Sequence, residues 1–87
     1  MTMNITLRFF ASVRETLGTS QEALAAPAHL TTVGELRAFL IARGGVWAEA
    51  LAEGRSLRTA CNQIMCNADA ALTEACEVAF FPPVTGG

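Results

Sequence analysis

Met3-Asn4-Ile5-Thr6-Leu7-Arg8-Phe9 places an apolar residue at every odd position and a polar one at every even position. That is the period of a strand with one face buried. The same parity puts Phe9 inside and Phe10 on the opposite face, so one large aromatic side chain is left without a core position. Downstream, Ala11–Leu17 reads as a short helix stopped by Gly18, and Ser20–Ala25 as a weaker strand ended by Pro27. The two strands are expected to form a hairpin-like unit.

Thr32-Val33-Gly34-Glu35 has the form of a capping box, in which the Thr32 hydroxyl accepts from the Glu35 amide and the Glu35 carboxylate accepts from the Thr32 amide. A helix is expected to start there. Val33, Leu36 and Leu40 form its apolar stripe, Arg37 falls off it, and Gly44-Gly45 stops the helix after Arg43. A second short helix is expected over Val46–Glu53, with Trp47 and Leu51 at i, i+4, Trp47 as a core anchor, and Gly54 at its end. Leu57–Cys61 and Ile64–Cys66 then read as strands joined at Asn62-Gln63, Asn67–Ala71 as a loop, and Cys76–Phe81 as a final strand. In that last strand Val78 and Phe80 share one face, Ala79 and Phe81 the other. This order predicts an α+β fold of the ubiquitin-like β-grasp type, a mixed sheet of about five strands crossed by one main helix. Residues 1–81 form the domain, and residues 82–87 an extended, flexible tail.

Composition narrows the function. The chain has 87 residues, 52% apolar and 16% charged, which suits one compact domain. One His (His29), one Asp (Asp69), no Lys and no Tyr leave few acid–base or nucleophile pairings to assemble. Six arginines (Arg8, Arg14, Arg37, Arg43, Arg55, Arg58) are scattered along a chain of net charge −2, so no stripe tracks a phosphate backbone and nucleic acid is not an expected partner. No apolar run approaches the roughly 20 residues of a membrane span, and the N-terminus lacks a signal peptide's order, so a cytoplasmic protein without a membrane partner is expected. Cys61, Cys66 and Cys76 have the spacing of neither a zinc site nor an iron–sulfur site, and an odd count argues against a disulfide framework. They are read as small apolar residues of the sheet, with no metal and no bound cofactor expected.

Phe80-Phe81-Pro82-Pro83-Val84-Thr85-Gly86-Gly87 is the segment a stable fold does not explain. Pro82-Pro83 ends the strand and stiffens the exit into an extended path. Gly86 and Gly87 lose the most conformational entropy on ordering and bury nothing, so they are a liability as structure. As a reagent they make sense. Residues 82–87, extended, reach on the order of 20 Å, and two positions without side chains let a terminal carboxylate enter a narrow channel in another protein. A carboxylate is a poor acyl donor and needs activation, for which adenylation by ATP on a partner is the usual route.

The segments Arg8-Phe9-Phe10-Ala11-Ser12-Val13-Arg14-Glu15, Thr32-Val33-Gly34-Glu35-Leu36-Arg37, Asn62-Gln63 and Glu77-Val78-Ala79-Phe80-Phe81-Pro82-Pro83-Val84-Thr85-Gly86-Gly87 resemble the MoaD family, the ubiquitin-like sulfur-carrier small subunits of molybdopterin synthase. The resemblance covers essentially the whole chain. It implies that a MoeB-like adenylyltransferase uses ATP to adenylate Gly87, and that sulfur from a persulfide donor displaces AMP to leave a C-terminal thiocarboxylate. It further implies docking on a MoaE-like large subunit, which supplies the catalytic residues, in a heterotetramer. The tail Pro82, Pro83, Val84, Thr85 and Gly86 would thread into that subunit and deliver sulfur to cyclic pyranopterin monophosphate. Parity makes Phe10 and Phe81 outward members of Phe-Phe pairs, and with Met65 beside Ile64 on the hairpin they predict an exposed apolar docking patch. The resemblance adds Arg14 as a charged contact.

Two departures stand out. Where relatives carry an acidic-Gly-acidic turn before the last strand, this chain has Glu74-Ala75-Cys76; a turn needing φ > 0 would cost Ala75 roughly 1 kcal/mol. Cys76, at a strand start, is expected to be inert rather than a sulfur relay. The competing functions are a ubiquitin-like carrier for thiamin or cysteine synthesis, a protein modifier conjugated through Gly87, and a plain binding domain with an idle tail.

Overall fold

The structure, a computed structural model, describes residues 1–83. The elements in chain order are β1 (Thr2–Phe9), α1 (Ala11–Leu17), β2 (Gln21–Pro27), α2 (Val33–Ile41), α3 (Val46–Leu51), β3 (Arg58–Cys61), β4 (Ile64–Cys66) and β5 (Cys76–Phe81). The strands form one five-stranded sheet in the order β2-β1-β5-β3-β4. β1 and β5 pair in parallel at its centre, and the other pairings are antiparallel. A mixed five-stranded sheet with α2 packed on one face is the β-grasp arrangement.

The alternation of β1 translates directly into packing. Ile5, Leu7 and Phe9 are buried on the helix side with Val78 and Phe80 of β5, and Val33, Leu36 and Leu40 of α2 close over them. Burying each large side chain of this set contributes about 1.5–3 kcal/mol. Phe9 stacks on Phe80 with ring centroids 6.3 Å apart and meets the edge of the Trp47 ring at 5.6 Å. Trp47 is thus the expected core anchor, half-buried, with the Arg43 guanidinium 4.5 Å above its ring.

Local signals place the boundaries. The capping box forms as read: the Glu35 amide donates to Thr32 Oγ1 at 3.2 Å, and Glu35 Oε1 accepts from the Thr32 amide at 3.1 Å. Asn62 and Gln63 have φ of 52° and 67°, the left-handed pair that lets a two-residue turn match strand twist. Asn62 also ties the hairpin to β5, its Oδ1 accepting from the Glu77 amide at 2.9 Å.

Three local expectations differ. α3 ends at Leu51 rather than Glu53, because Arg37 takes the carbonyls there: Nε donates to Leu51 O at 2.8 Å and Nη2 to Ala52 O at 2.6 Å and Arg55 O at 3.1 Å. Such a clamp satisfies orphan helix carbonyls from a residue 14 positions away. α2 ends at Ile41, one turn before the glycines. β2 runs through Pro27, which pairs with Thr2 at the sheet's edge, where a missing N–H is tolerated.

Ala75 has φ 65°, the left-handed conformation in which alanine costs roughly 1–2 kcal/mol. The turn is latched to β1: the Ala75 amide donates to Asn4 O at 2.8 Å, and the Asn4 amide donates to the Glu74 carboxylate at 3.1 Å. The acidic residue before the turn therefore has a structural role, holding the turn against β1.

β5 ends at Phe81, and Pro82 and Pro83 follow without regular structure, both half-buried. Val84, Thr85, Gly86 and Gly87 of the expected tail lie outside the described residues. Among the described residues no helix is long and apolar enough to cross a membrane.

Candidate functional site

The sheet has a second face, opposite the helices, and its layout follows from the strand register. Arg8 pairs with Ala79, Ala79 with Ala60, and Ala60 with Met65, so these four side chains make one row across β1, β5, β3 and β4. The adjoining row holds Phe81 and its partner Arg58, with Phe10 beside Phe81. In a parallel pair both strands run the same way, so the ends of β1 and β5 coincide. Phe10 is therefore brought to the root of the tail, its amide donating to Phe80 O at 3.3 Å.

Phe10 is held out by backbone geometry. It is extended, with φ −131° and ψ 156°, and Ala11 after it takes φ 51°. That left-handed residue turns the chain out of β1 and into α1, leaving Phe10 41% exposed. Its ring meets Phe81 edge-on, centroids 6.4 Å apart and planes at 85°, a favoured aromatic arrangement. Met65, 60% exposed, borders the same face across the alanines.

The expected docking residues are thus partly assembled. Phe10, Phe81 and Met65 share the outer face. Ile64, 71% exposed, does not, because its partner Cys61 pairs with the core residue Val78 and so carries the opposite parity. Arg14 is exposed on α1 a turn after Phe10, whose carbonyl accepts from the Arg14 amide at 3.4 Å. It stands at the margin of the patch.

Four residues of this face were not among the expected contacts. Ala60 and Ala79 are 7% and 6% exposed although they point away from the core, small side chains in a row flanked by Arg8 and Met65. Ala79 thereby departs from the simple alternation of a two-sided strand. Arg8 stacks over the Phe10 ring, its guanidinium carbon 5.6 Å from the centroid, and its Nη1 lies 3.6 Å from Glu77 Oε2. Arg58 stands directly across from Phe81. Alternation along β1 already pointed Arg8 outward, whereas no local signal assigns Arg58 its neighbour.

The cysteines offer no alternative centre. Burial first, then the neighbouring Cys76 and Cys66 thiols, push the Cys61 thiol above its ordinary value, which keeps it protonated and weakly nucleophilic. Cys76 is fully buried. Among the described residues no group of three or more His, Cys, Asp or Glu could hold a metal ion. What the outer face provides is a platform: an alanine floor, aromatic walls and a strand that delivers the chain to its rim.

Comparison with known proteins gives the family. The ThiS family model matches residues 7–87. The molybdopterin synthase sulfur carrier subunit of Escherichia coli (strain K12) is 47% identical over 83 residues, 95% of this chain and 99% of that protein. The protein of the same name from Haemophilus influenzae is 39% identical over 79 residues, 91% of this chain and 94% of its own. The solution structure of the Haloferax volcanii HVO 2177 protein superposes with a TM-score of 0.77 at 28% identity, covering 99% of this chain and 88% of that one.

Proposed function

The chain belongs to the ThiS family, and from that premise we propose that it is the sulfur carrier subunit of a molybdopterin synthase. The observation that carries the reading is 47% identity to a molybdopterin synthase sulfur carrier subunit over 95% of this chain. The family match extends through Gly86 and Gly87, which a purely structural kinship would not require.

The proposed mechanism assigns this chain the reagent and the partners the catalysis. An adenylyltransferase transfers AMP from ATP to the Gly87 carboxylate, releasing pyrophosphate. A persulfide donor's terminal sulfur attacks the acyl-adenylate carbon and AMP leaves, giving an acyl disulfide; a second thiol then attacks the donor's sulfur, forming a disulfide with it and releasing the thiocarboxylate. The carrier docks on the synthase large subunit through Phe10, Phe81 and Met65, with Arg14 at the margin. Pro82 and Pro83 direct the chain outward, Val84 and Thr85 continue it, and Gly86 and Gly87 enter the large subunit's site, where sulfur passes to cyclic pyranopterin monophosphate. No cofactor resides on the carrier, and the exchange takes place in the cytoplasm.

Intact-mass measurement after co-expression with an adenylyltransferase and a persulfide donor tests this directly. The expected product is heavier by the replacement of one oxygen with sulfur, and deleting Gly87 abolishes that product while leaving the melting temperature unchanged. An unaltered mass, under conditions that charge another sulfur carrier, overturns the proposal.

A further inference from the structure

Of the six arginines, the fold ties down two and sets two others on the outer face of the sheet. Arg37 spends its guanidinium on three backbone carbonyls. Arg43 is held by Glu22 in a two-pronged pair at 3.0 and 2.7 Å. Both guanidinium groups are already engaged within the chain. Arg8 and Arg58, by contrast, stand on the outer face at the tail's root, and the fold uses them little. Arg8 lies over the Phe10 ring and approaches Glu77 at 3.6 Å, and its Nε is buried with no hydrogen-bond partner among the described residues. Arg58 enters no ion pair among the described residues. In a chain of net charge −2, Arg8 and Arg58 outnumber the Glu77 carboxylate beside this apolar hollow, a local reversal of the overall charge.

Their spacing is set by the sheet. Arg8 and Arg58 lie two strands apart and two residues out of row, which puts their Cα atoms about 12 Å from each other. Ala79 and Ala60 lie between them, walled by Phe81 and Met65. We propose that the surface closing over this face is an acidic protein surface: an apolar side chain seats on the alanine floor, and two carboxylates flank it, one facing Arg8 and one Arg58. The inference rests on the carrier reading, which supplies the large subunit as the occupant, and goes beyond it by stating that subunit's chemistry at the contact. Carboxylates there face the 37% exposed Arg8 side chain and the exposed Arg58, and opposite charges across a rim raise the association rate and set partner choice.

The test is binding kinetics between this chain and the molybdopterin synthase large subunit from the same organism, at low and at physiological salt. R8E and R58E are each expected to lower affinity about tenfold, mostly through a slower on-rate, and to flatten the salt dependence. R8L and R58L should fall between them and the parent chain, and melting temperatures of all four variants confirm that they fold. If the parent chain binds and the variants match it in affinity and salt dependence, or if the leucine variants bind more tightly, the acidic-surface inference is overturned while the carrier reading stands. If the parent chain itself fails to bind the large subunit at either salt concentration, both are overturned.

Discussion

The two faces of β5 differ by one residue of register and by everything that follows from it. Phe80 turns toward the helices and is fully buried, stacked on Phe9; Phe81, next in the chain, turns the other way, is half-buried and meets Phe10 edge-on. The helix-side face is closed by α2 and supplies stability. The outer face is open, floored with alanine and bounded by aromatic and cationic side chains. An identical residue type thus fills the core at one position and lines the open outer face at the next, and what separates the two is the period of the strand rather than the chemistry of the side chain.

Truncating each phenylalanine breaks that pairing in opposite ways. F80A should lower unfolding free energy by about 3–5 kcal/mol, read from denaturant titration, a large share of the stability of a domain this small. F81A should cost only about 1 kcal/mol, yet weaken binding to the large subunit by tenfold or more, as an aromatic at the centre of an interface does. If the two variants lost equal stability, the division between faces would not hold.

Smaller effects probe the turns that keep the faces in register. T32A removes the cap of α2 and should cost about 1 kcal/mol, with partner affinity unchanged. A75G relieves the left-handed alanine and, after the extra chain entropy of glycine, should gain roughly 0.5–1 kcal/mol. It sits at the end of β5 away from the tail, so binding should not change. The smallest effect is electrostatic. The Thr31 hydroxyl and amide, with the Thr32 amide, hold the Glu35 carboxyl below the usual carboxylate range. A carboxylate whose pKa is lower folded than unfolded stabilises above its unfolded pKa and loses that contribution as pH falls through the folded value. Melting temperatures of the parent chain and E35Q should therefore differ at neutral pH and converge as the solution is acidified.

Much of the fold was legible because its signals are local. Alternation over Met3–Phe9, the Thr32–Glu35 box and the polar Asn62-Gln63 pair each specify geometry within a few residues, and each appears where it was read. The boundaries that shifted are those settled from afar. α3 loses its last turn to Arg37, 14 residues back in the chain, and no window around Leu51 contains that donor. Of the candidate site, Phe10 and Phe81 followed from parity. Met65 joins them on the outer face, while its neighbour Ile64 takes the opposite one, as adjacency on a strand requires.

The sequence by itself determined the strand period, the helix cap and the hairpin turn, because all of these are written in neighbouring residues. Only the tertiary structure decided that β1 and β5 lie side by side in parallel, bringing Phe10 to the tail's root, burying Ala79 on the outer face and setting Arg8 and Arg58 around one hollow. Residues 50 positions apart in the chain acquire a common surface through strand register, a long-range pairing that no local pattern encodes.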